Sequence, residues 1–367
     1  MEQKVLMVTI GSNNKTEDEC LPYATDGSVA NRLQYGPEAK SLLKRRREVL
    51  APILNESLHR DGKPLHESLY NTGLVEGPDF GGKAQAGCYL PAVLRFDGRF
   101  YRALGNAQRL SLAKQQSRGE LLIVSTLYGL LTAAEPIQRY NLDIDEVDTL
   151  GQPWTKDGLL TEVLCAYIKY QRITCVLDLT ATTRFRQLID WNRVRRAVDK
   201  LLHCHGRQIA GDASLLALGD LARKLLSEWS PEELESLHAG QELHLPSEVV
   251  VFSTEAESPA GWATEVDRRQ LTHGQQLNEW RKAIRKMLQH RFPKYFVEGM
   301  SLFQLLQKIP RGIEMPDSVR RSITRIRQDR NDAECRDQDP DDREWERVTE
   351  AYDLVTNWYK GHGRPRP

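Results

Sequence analysis

The sequence lacks the marks of export and of membrane insertion. Met1-Glu2-Gln3-Lys4-Val5 does not begin a basic segment followed by an apolar one. No apolar run approaches the roughly 20 residues that span a bilayer. A cytoplasmic location without a membrane partner is expected from this. CxxC pairs are also missing. The six cysteines, Cys20, Cys88, Cys165, Cys175, Cys204 and Cys335, are scattered over 367 residues, which reads as reduced, mostly structural thiols. His203-Cys204-His205 comes nearest to a metal-ligand cluster, but adjacent residues rarely aim at one ion and no second ligand pair accompanies them. They read as a strand end or turn, and no metal or other cofactor is expected. There is no internal repeat, no long low-complexity tract and no net charge: Lys plus Arg and Asp plus Glu both number 51. The balance excludes a uniformly basic nucleic-acid coat but leaves room for local basic surfaces.

What is present suits two folded domains. Hydrophobic residues make up 40% of the chain and charged residues 28%, enough apolar surface for burial to outweigh ordering entropy. Val5 to Ile10, Leu121 to Ser125, Ile173 to Thr180 and Val249 to Phe252 are apolar runs of strand length. Helical spacing separates them: Leu42, Leu43, Val49, Leu50, Ile53 and Leu54 after Pro37, then Leu160, Val163, Leu164, Tyr167 and Ile168. The alternation predicts an α/β domain with a mostly parallel sheet over residues 1–252. Residues 253–271 are polar, hold Pro259 and Gly261, and read as a linker. Residues 272–360 carry four helical stripes, beginning with a Thr272–Gln275 capping pair, and predict an all-α helical bundle. Residues 361–367 read as a flexible tail.

Three polar segments follow predicted strands, where parallel α/β sheets hold their ligands. Ser12, Asn14, Lys15 and Thr16 offer a hydroxyl, an amide and an amine suited to an anion such as phosphate, although the P-loop spacing is absent. As residue types alone, they suit a polar turn equally well. Tyr128-Gly129 combines an aromatic face with a residue that permits close backbone approach, and Glu135, Arg139 and Tyr140 add a carboxylate, a guanidinium and a ring. Asp178, Thr180 and their neighbours could cap a helix or face the same cleft.

These segments resemble elements of the YaaA-like family of stress proteins. Ser12 to Thr16 is similar to that family's Ser-Pro-Ala-Lys-Thr loop, with Asn13-Asn14 in place of Pro-Ala. Phe96 to Leu104 resembles its Phe-x-Gly-x-x-Tyr-x-x-Leu element. Ser125 to Leu131 with Ile137 to Leu142 resembles Ser-x-Leu-Tyr-Gly-x-Leu followed by Gln-Pro-Tyr-x-Leu, with Arg139 in place of Pro. Leu177 to Thr180 resembles Asn-Leu-Ala-Ser, with Asp178 in place of Asn. The resemblance covers about residues 1–252 and implies a stress-related protein with a nucleic-acid or nucleotide ligand. As polar and aromatic residues after predicted strands, Ser12, Asn14, Lys15, Thr16, Tyr128, Gly129, Arg139, Tyr140 and Thr180 are the candidate ligand-binding residues.

The C-terminal stretch around Arg330, Asn331 and Cys335 resembles the Arg-Asn-x-x-x-His signature of HEPN helical bundles, with Cys where active ribonucleases have His. A thiol is a poorer proton shuttle than imidazole at neutral pH. This implies a degenerate bundle serving dimerisation or partner contact. Joined to a stress-family domain, it also suggests a role in phage defence. The basic runs Lys44 to Arg47 and Arg193 to Arg196 are candidate phosphate contacts or solvated helix faces. An alternative expectation is an enzyme that cleaves a nucleotide or nucleic acid, by N-glycosidic or nucleolytic chemistry. In it Lys15 would contact an anion, Tyr128 would stack, and Asp178 or Glu135 would do acid–base work.

Overall fold

The computed structural model describes residues 4–16, 20–60, 63–68, 70–83, 86–207, 214–256, 284, 287–288, 315, 318–326 and 342–361. By internal contacts the chain divides into two units, residues 1–265 and 266–367.

The first unit is built on a seven-stranded sheet. Its strands are β1 (Val5–Ile10), β2 (Glu120–Ser125), β3 (Gly129–Thr132), β4 (Cys175–Asp178), β5 (Lys200–Gly206), β6 (Glu242–His244) and β7 (Val249–Ser253). Their order across the sheet is β6-β7-β5-β4-β1-β2-β3. Pairs β5/β4, β4/β1 and β1/β2 are parallel, whereas β2/β3, β5/β7 and β7/β6 are antiparallel. The sheet is therefore mixed, with a parallel centre, rather than mostly parallel. Two short connections produce the antiparallel rims. A turn of three residues folds β3 back on β2 from Ser125 to Gly129, and Glu242 to Ser253 makes a second hairpin. Short polar strands such as Glu242–His244 carry too few apolar residues to register as a run.

Continuous apolar strands are buried on both faces, as β1 and β4 are here. Helices supply the cover: α1 (Pro37–Leu54), α2 (Leu159–Gln171) and α3 (Leu215–Ser227). Pro37 starts α1, where its missing N–H costs no hydrogen bond, and Leu42, Val49, Leu50 and Ile53 form its buried stripe. Helix α3 packs on the segment Arg99–Leu104 at Gly219, where a Cβ would strike the Phe100 carbonyl. Gly129 has φ +70°, and a Cβ there would lie 2.7 Å from the Trp154 ring. Glycine is thus required at the tip of the β2/β3 hairpin.

A buried cation fastens this hairpin to α1. Arg46 donates from Nε to the Tyr128 carbonyl at 2.8 Å, from Nη2 to the Leu130 carbonyl at 2.7 Å, and from Nη1 to Glu135 Oε1 at 2.6 Å. The other Glu135 oxygen accepts the Val29 N–H at 2.9 Å, at the start of a short helix. Both side chains are fully buried, so Arg46 is not a surface phosphate contact, whereas Lys44 and Arg47 of the same basic run are exposed. Arg45 is partly buried and pairs with the exposed acids Glu48 and Asp157 at 2.9 and 3.5 Å.

The cysteines also depart from expectation. Cys20 and Cys88 form a disulfide, with Cα atoms 4.7 Å apart, while Cys165, Cys175 and Cys204 are free thiols. Burial pushes the Cys175 thiol up to about 12.

In the second unit, residues 318–326 and Asp342–Gly361 are helical. Val319, Ile323 and Ile326 are buried on the first, and Val348, Ala351 and Val355 on the second. Both stripes are among those expected for the four-helix bundle. The residues of the Arg330, Asn331 and Cys335 motif lie outside the described residues, as does most of the expected linker.

Removing one partner of a buried ion pair strands the other charge in the interior, at a cost of about 3–5 kcal/mol. Arg46→Met is therefore expected to lower unfolding free energy by that amount in urea titration. Arg46→Met combined with Glu135→Leu should recover part of the loss. A single-variant loss below about 1 kcal/mol would show that the pair does not fasten the hairpin.

Candidate functional site

The centre of the candidate site is Lys15. Strand β1 stops at Gly11, whose N–H still donates to the Val124 carbonyl at 2.8 Å. The Ser12 hydroxyl accepts the Asn14 N–H at 3.1 Å and turns the chain. Lys15 then pairs antiparallel with Phe96, and Thr16 donates its N–H to the Arg95 carbonyl at 2.9 Å and its hydroxyl to the Leu94 carbonyl at 3.1 Å. With the backbone pinned on both sides, the amine is aimed inward. Its Nζ donates to the Ser12 carbonyl at 2.8 Å and lies 4.0 Å from the Tyr140 ring centre and 5.4 Å from that of Phe96. Tyr140 is held in turn by its hydroxyl, 2.7 Å from Ser125 Oγ at the end of β2.

Lys15 is 7% exposed. Loss of water pushes its ammonium down to about 7, against the usual 10.5, and the charges of Arg95, Arg139 and Arg60 add to that effect. Asp143 opposes it. The Asp143 carboxylate accepts the Asn13 amide at 2.8 Å and faces Arg60, whose Nε is 2.5 Å from Glu146. Arg139 stacks on Tyr70 at 4.0 Å. Three guanidinium groups and one amine thus act on this region, with Asp143 and Glu146 as the nearby acids.

A second polar cluster sits at the ends of β4 and β5. Parallel pairing sets Asp178 opposite His203, with both side chains on one face. Asp178 Oδ2 accepts from His203 Nδ1 and from Arg186 Nε, both at 2.7 Å. Its Oδ1 accepts the Thr180 N–H at 2.9 Å and the Thr180 hydroxyl at 2.6 Å. Burial alone would raise this carboxyl, but the His203 hydrogen bond and the Arg186 charge outweigh it and the net shift is down. Trp191 meets the His203 ring edge-on at 5.3 Å. His203 Nε2 and Arg186 Nη2 are buried with no hydrogen-bond partner among the described residues. His205 is pushed down to about 4 by burial, reinforced by Arg186, and is therefore neutral.

The expected site residues thus fall into three groups. Ser12, Asn14, Lys15, Thr16 and Tyr140 come together, and Arg139 acts on them through its charge. Asp178 and Thr180 belong to the histidine cluster. Tyr128 and Glu135 are buried with their polar atoms engaged inside the fold: both Glu135 oxygens are bonded, to Arg46 and to the Val29 N–H. The Tyr128 hydroxyl donates to Asp79 at 2.7 Å and accepts the Gln138 N–H at 3.1 Å. Gly129 serves the hairpin tip. Phe96, Arg60, Arg95, Asp143, Arg186 and His203 were not among the expected site residues. Signals existed for Phe96, which opens the family-like Phe96–Leu104 element, and for His203 and His205, whose spacing of two puts them on one face of a strand.

No group of three metal-ligating side chains occurs among the described residues, and no described helix is long and apolar enough to cross a membrane.

A seven-stranded mixed sheet with a parallel centre and flanking helices defines a domain of the α/β class. Within it, residues 32–210 match the family described as peroxide stress protein YaaA, and they form a domain of that stress-related family. The match includes Phe96, Tyr140, Asp178 and His203, and begins after the Ser12 to Thr16 loop. No curated protein matches the chain.

The depressed Lys15 ammonium has a consequence for stability. Between about pH 7 and 10.5 the unfolded chain holds the proton that the folded chain has released. Folding stability from this group is therefore present above pH 10.5 and is lost as pH falls through 7, with a slope of up to about 1.4 kcal/mol per pH unit. Lys15→Met should flatten the rise in stability between pH 7.5 and 9.5, measured by urea unfolding at each pH. Parallel curves for wild type and variant would contradict a desolvated amine.

Proposed function

We propose that the first unit binds the phosphate groups of a nucleic acid or nucleotide at the Lys15 cluster, as part of a stress-related function. The single observation that carries this reading is the buried Lys15 amine at the end of β1, with Arg60, Arg95 and Arg139 acting on it. The neighbouring guanidinium charges add to the loss of water in lowering the Lys15 ammonium, and an arriving anion relieves that repulsion. Lys15 then regains its proton, so binding is coupled to proton uptake above pH 7. The tyrosine and phenylalanine rings beside the amine exclude water and strengthen the attraction. The basic runs contribute less than their composition suggests, since Arg46 is buried on Glu135 and Arg193 faces Glu162 at 3.5 Å.

A second reading, cleavage of a nucleotide or nucleic acid, has one observation in its favour. Asp178 orients His203 through Nδ1, and leaves Nε2 as an unpartnered proton acceptor. Asp178 accepts four hydrogen bonds and would orient the histidine rather than take a proton itself. Base or fragment release that persists in Lys15→Ala and disappears in His203→Gln would favour this reading over binding alone.

Binding of 5′-phosphorylated oligonucleotides, nucleoside triphosphates and pyrophosphate should be measured by calorimetry at pH 6 and pH 9. Affinity is expected to fall by about tenfold or more from pH 6 to pH 9, and by a similar factor in Lys15→Ala at pH 6. Added salt should weaken it. Affinity independent of pH and unchanged in Lys15→Ala would sink the proposal.

A further inference from the structure

We propose that Cys20 and Cys88 are a reversible redox-modification site, whose bonded form clamps the ribbon that seats Lys15. The inference goes beyond the anion-binding reading and does not depend on it.

The ribbon consists of two isolated antiparallel bridges, between which the second segment forms the short strand Leu90–Pro91 and the helical turn Ala92–Arg95. Lys15 bridges Phe96 at one end and Leu21 bridges Tyr89 at the other, with Cys20 and Cys88 beside the second bridge. Its Lys15 end is pinned by Thr16, bonded to the Arg95 and Leu94 carbonyls at 2.9 and 3.1 Å, and by the Asp97 N–H on the Asn14 carbonyl at 2.9 Å, whereas toward Cys20 the described bonds across the pairing are Leu21 to the Tyr89 carbonyl at 3.1 Å and the Arg95 guanidinium, which spans the carbonyls of Thr16 and Cys88 at 3.0 and 3.2 Å. The single bridge beside the two cysteines is too short to be stable alone. A covalent link joining positions separated by 68 residues removes much of the freedom its open form would gain.

The location favours chemistry. Cys20 is exposed and Cys88 half-buried, so an oxidant in solution reaches them, whereas Cys175 and Cys204 are buried and their thiols are pushed up by loss of water. The reaction with a hydroperoxide balances in two steps. One thiolate attacks the peroxide oxygen, giving a sulfenic acid and an alcohol, or water when the oxidant is hydrogen peroxide. The second thiol attacks the sulfenic sulfur and releases water, leaving the disulfide. Each disulfide formed consumes one peroxide. A dithiol reductant restores the pair by thiol–disulfide exchange.

The full chain, first reduced with dithiothreitol, should be treated with one equivalent of hydrogen peroxide and examined by intact mass and peptide mapping. Loss of two hydrogens, in a crosslinked peptide containing Cys20 and Cys88, is the expected result. Hydrogen exchange then reads the clamp. The amides of Thr16 and Leu21 should exchange at least tenfold faster in the reduced protein than in the oxidised one. Cys20→Ser and Cys88→Ser should behave as the reduced protein under both conditions, which separates the effect of the bond from that of either side chain. Failure to form the crosslink would overturn the redox assignment. A crosslink that leaves ribbon exchange unchanged would overturn the clamp.

Discussion

The first unit depends on how it buries positive charge. Arg46 has no access to water, yet its guanidinium meets two carbonyls of the β2/β3 hairpin, the Asp79 carbonyl and the Glu135 carboxylate. A cation placed this way is compensated on every side. It fixes the hairpin against α1, and the hairpin in turn places Ser125 and the segment to Tyr140. Lys15 is the contrasting case. It reaches the interior with one carbonyl and two aromatic rings for company, and its charge is only partly compensated. The first cation holds the fold together, and the second has Asp143 as the charge that opposes its loss of water.

The two polar clusters share the sheet but differ in character. Around Asp178 the carboxylate is saturated by four donors, and the remaining open positions belong to His203 and Arg186. Around Lys15 the uncompensated group is the amine itself. Arg184 and Asn13 connect both regions to one short helical segment: Arg184 pairs with Asp145 and Asp148, and Asn13 bonds Asp143. The segment that caps at Asp143 therefore touches both strand-end loops.

Much of the sheet was legible in the sequence because its central strands are continuous apolar runs. Val5 to Ile10 and Leu121 to Ser125 could hardly be anything else, and Pro37 marked the start of α1. The hairpin strand Gly129–Thr132 was hidden because its apolar residues read as a continuation of a motif, and the extent of Lys200–Gly206 because its histidines read as a strand end or turn. Lys15 was legible as a candidate from its place after a strand. Its burial was not, because Phe96 and Tyr140 arrive from 81 and 125 positions away. Tyr128 and Glu135 show the reverse: their chemistry is suggestive in one dimension, but the fold encloses both and turns their polar atoms toward Asp79 and Arg46.

The account turns on the protonation of one amine. Its direct test is a titration of the Lys15 side chain by nuclear magnetic resonance, following the carbon and nitrogen shifts at the end of the chain, with and without pyrophosphate. The account predicts a midpoint near 7 in the free protein and a clear rise when the anion is present. A midpoint near 10.5, unmoved by the anion, would contradict it.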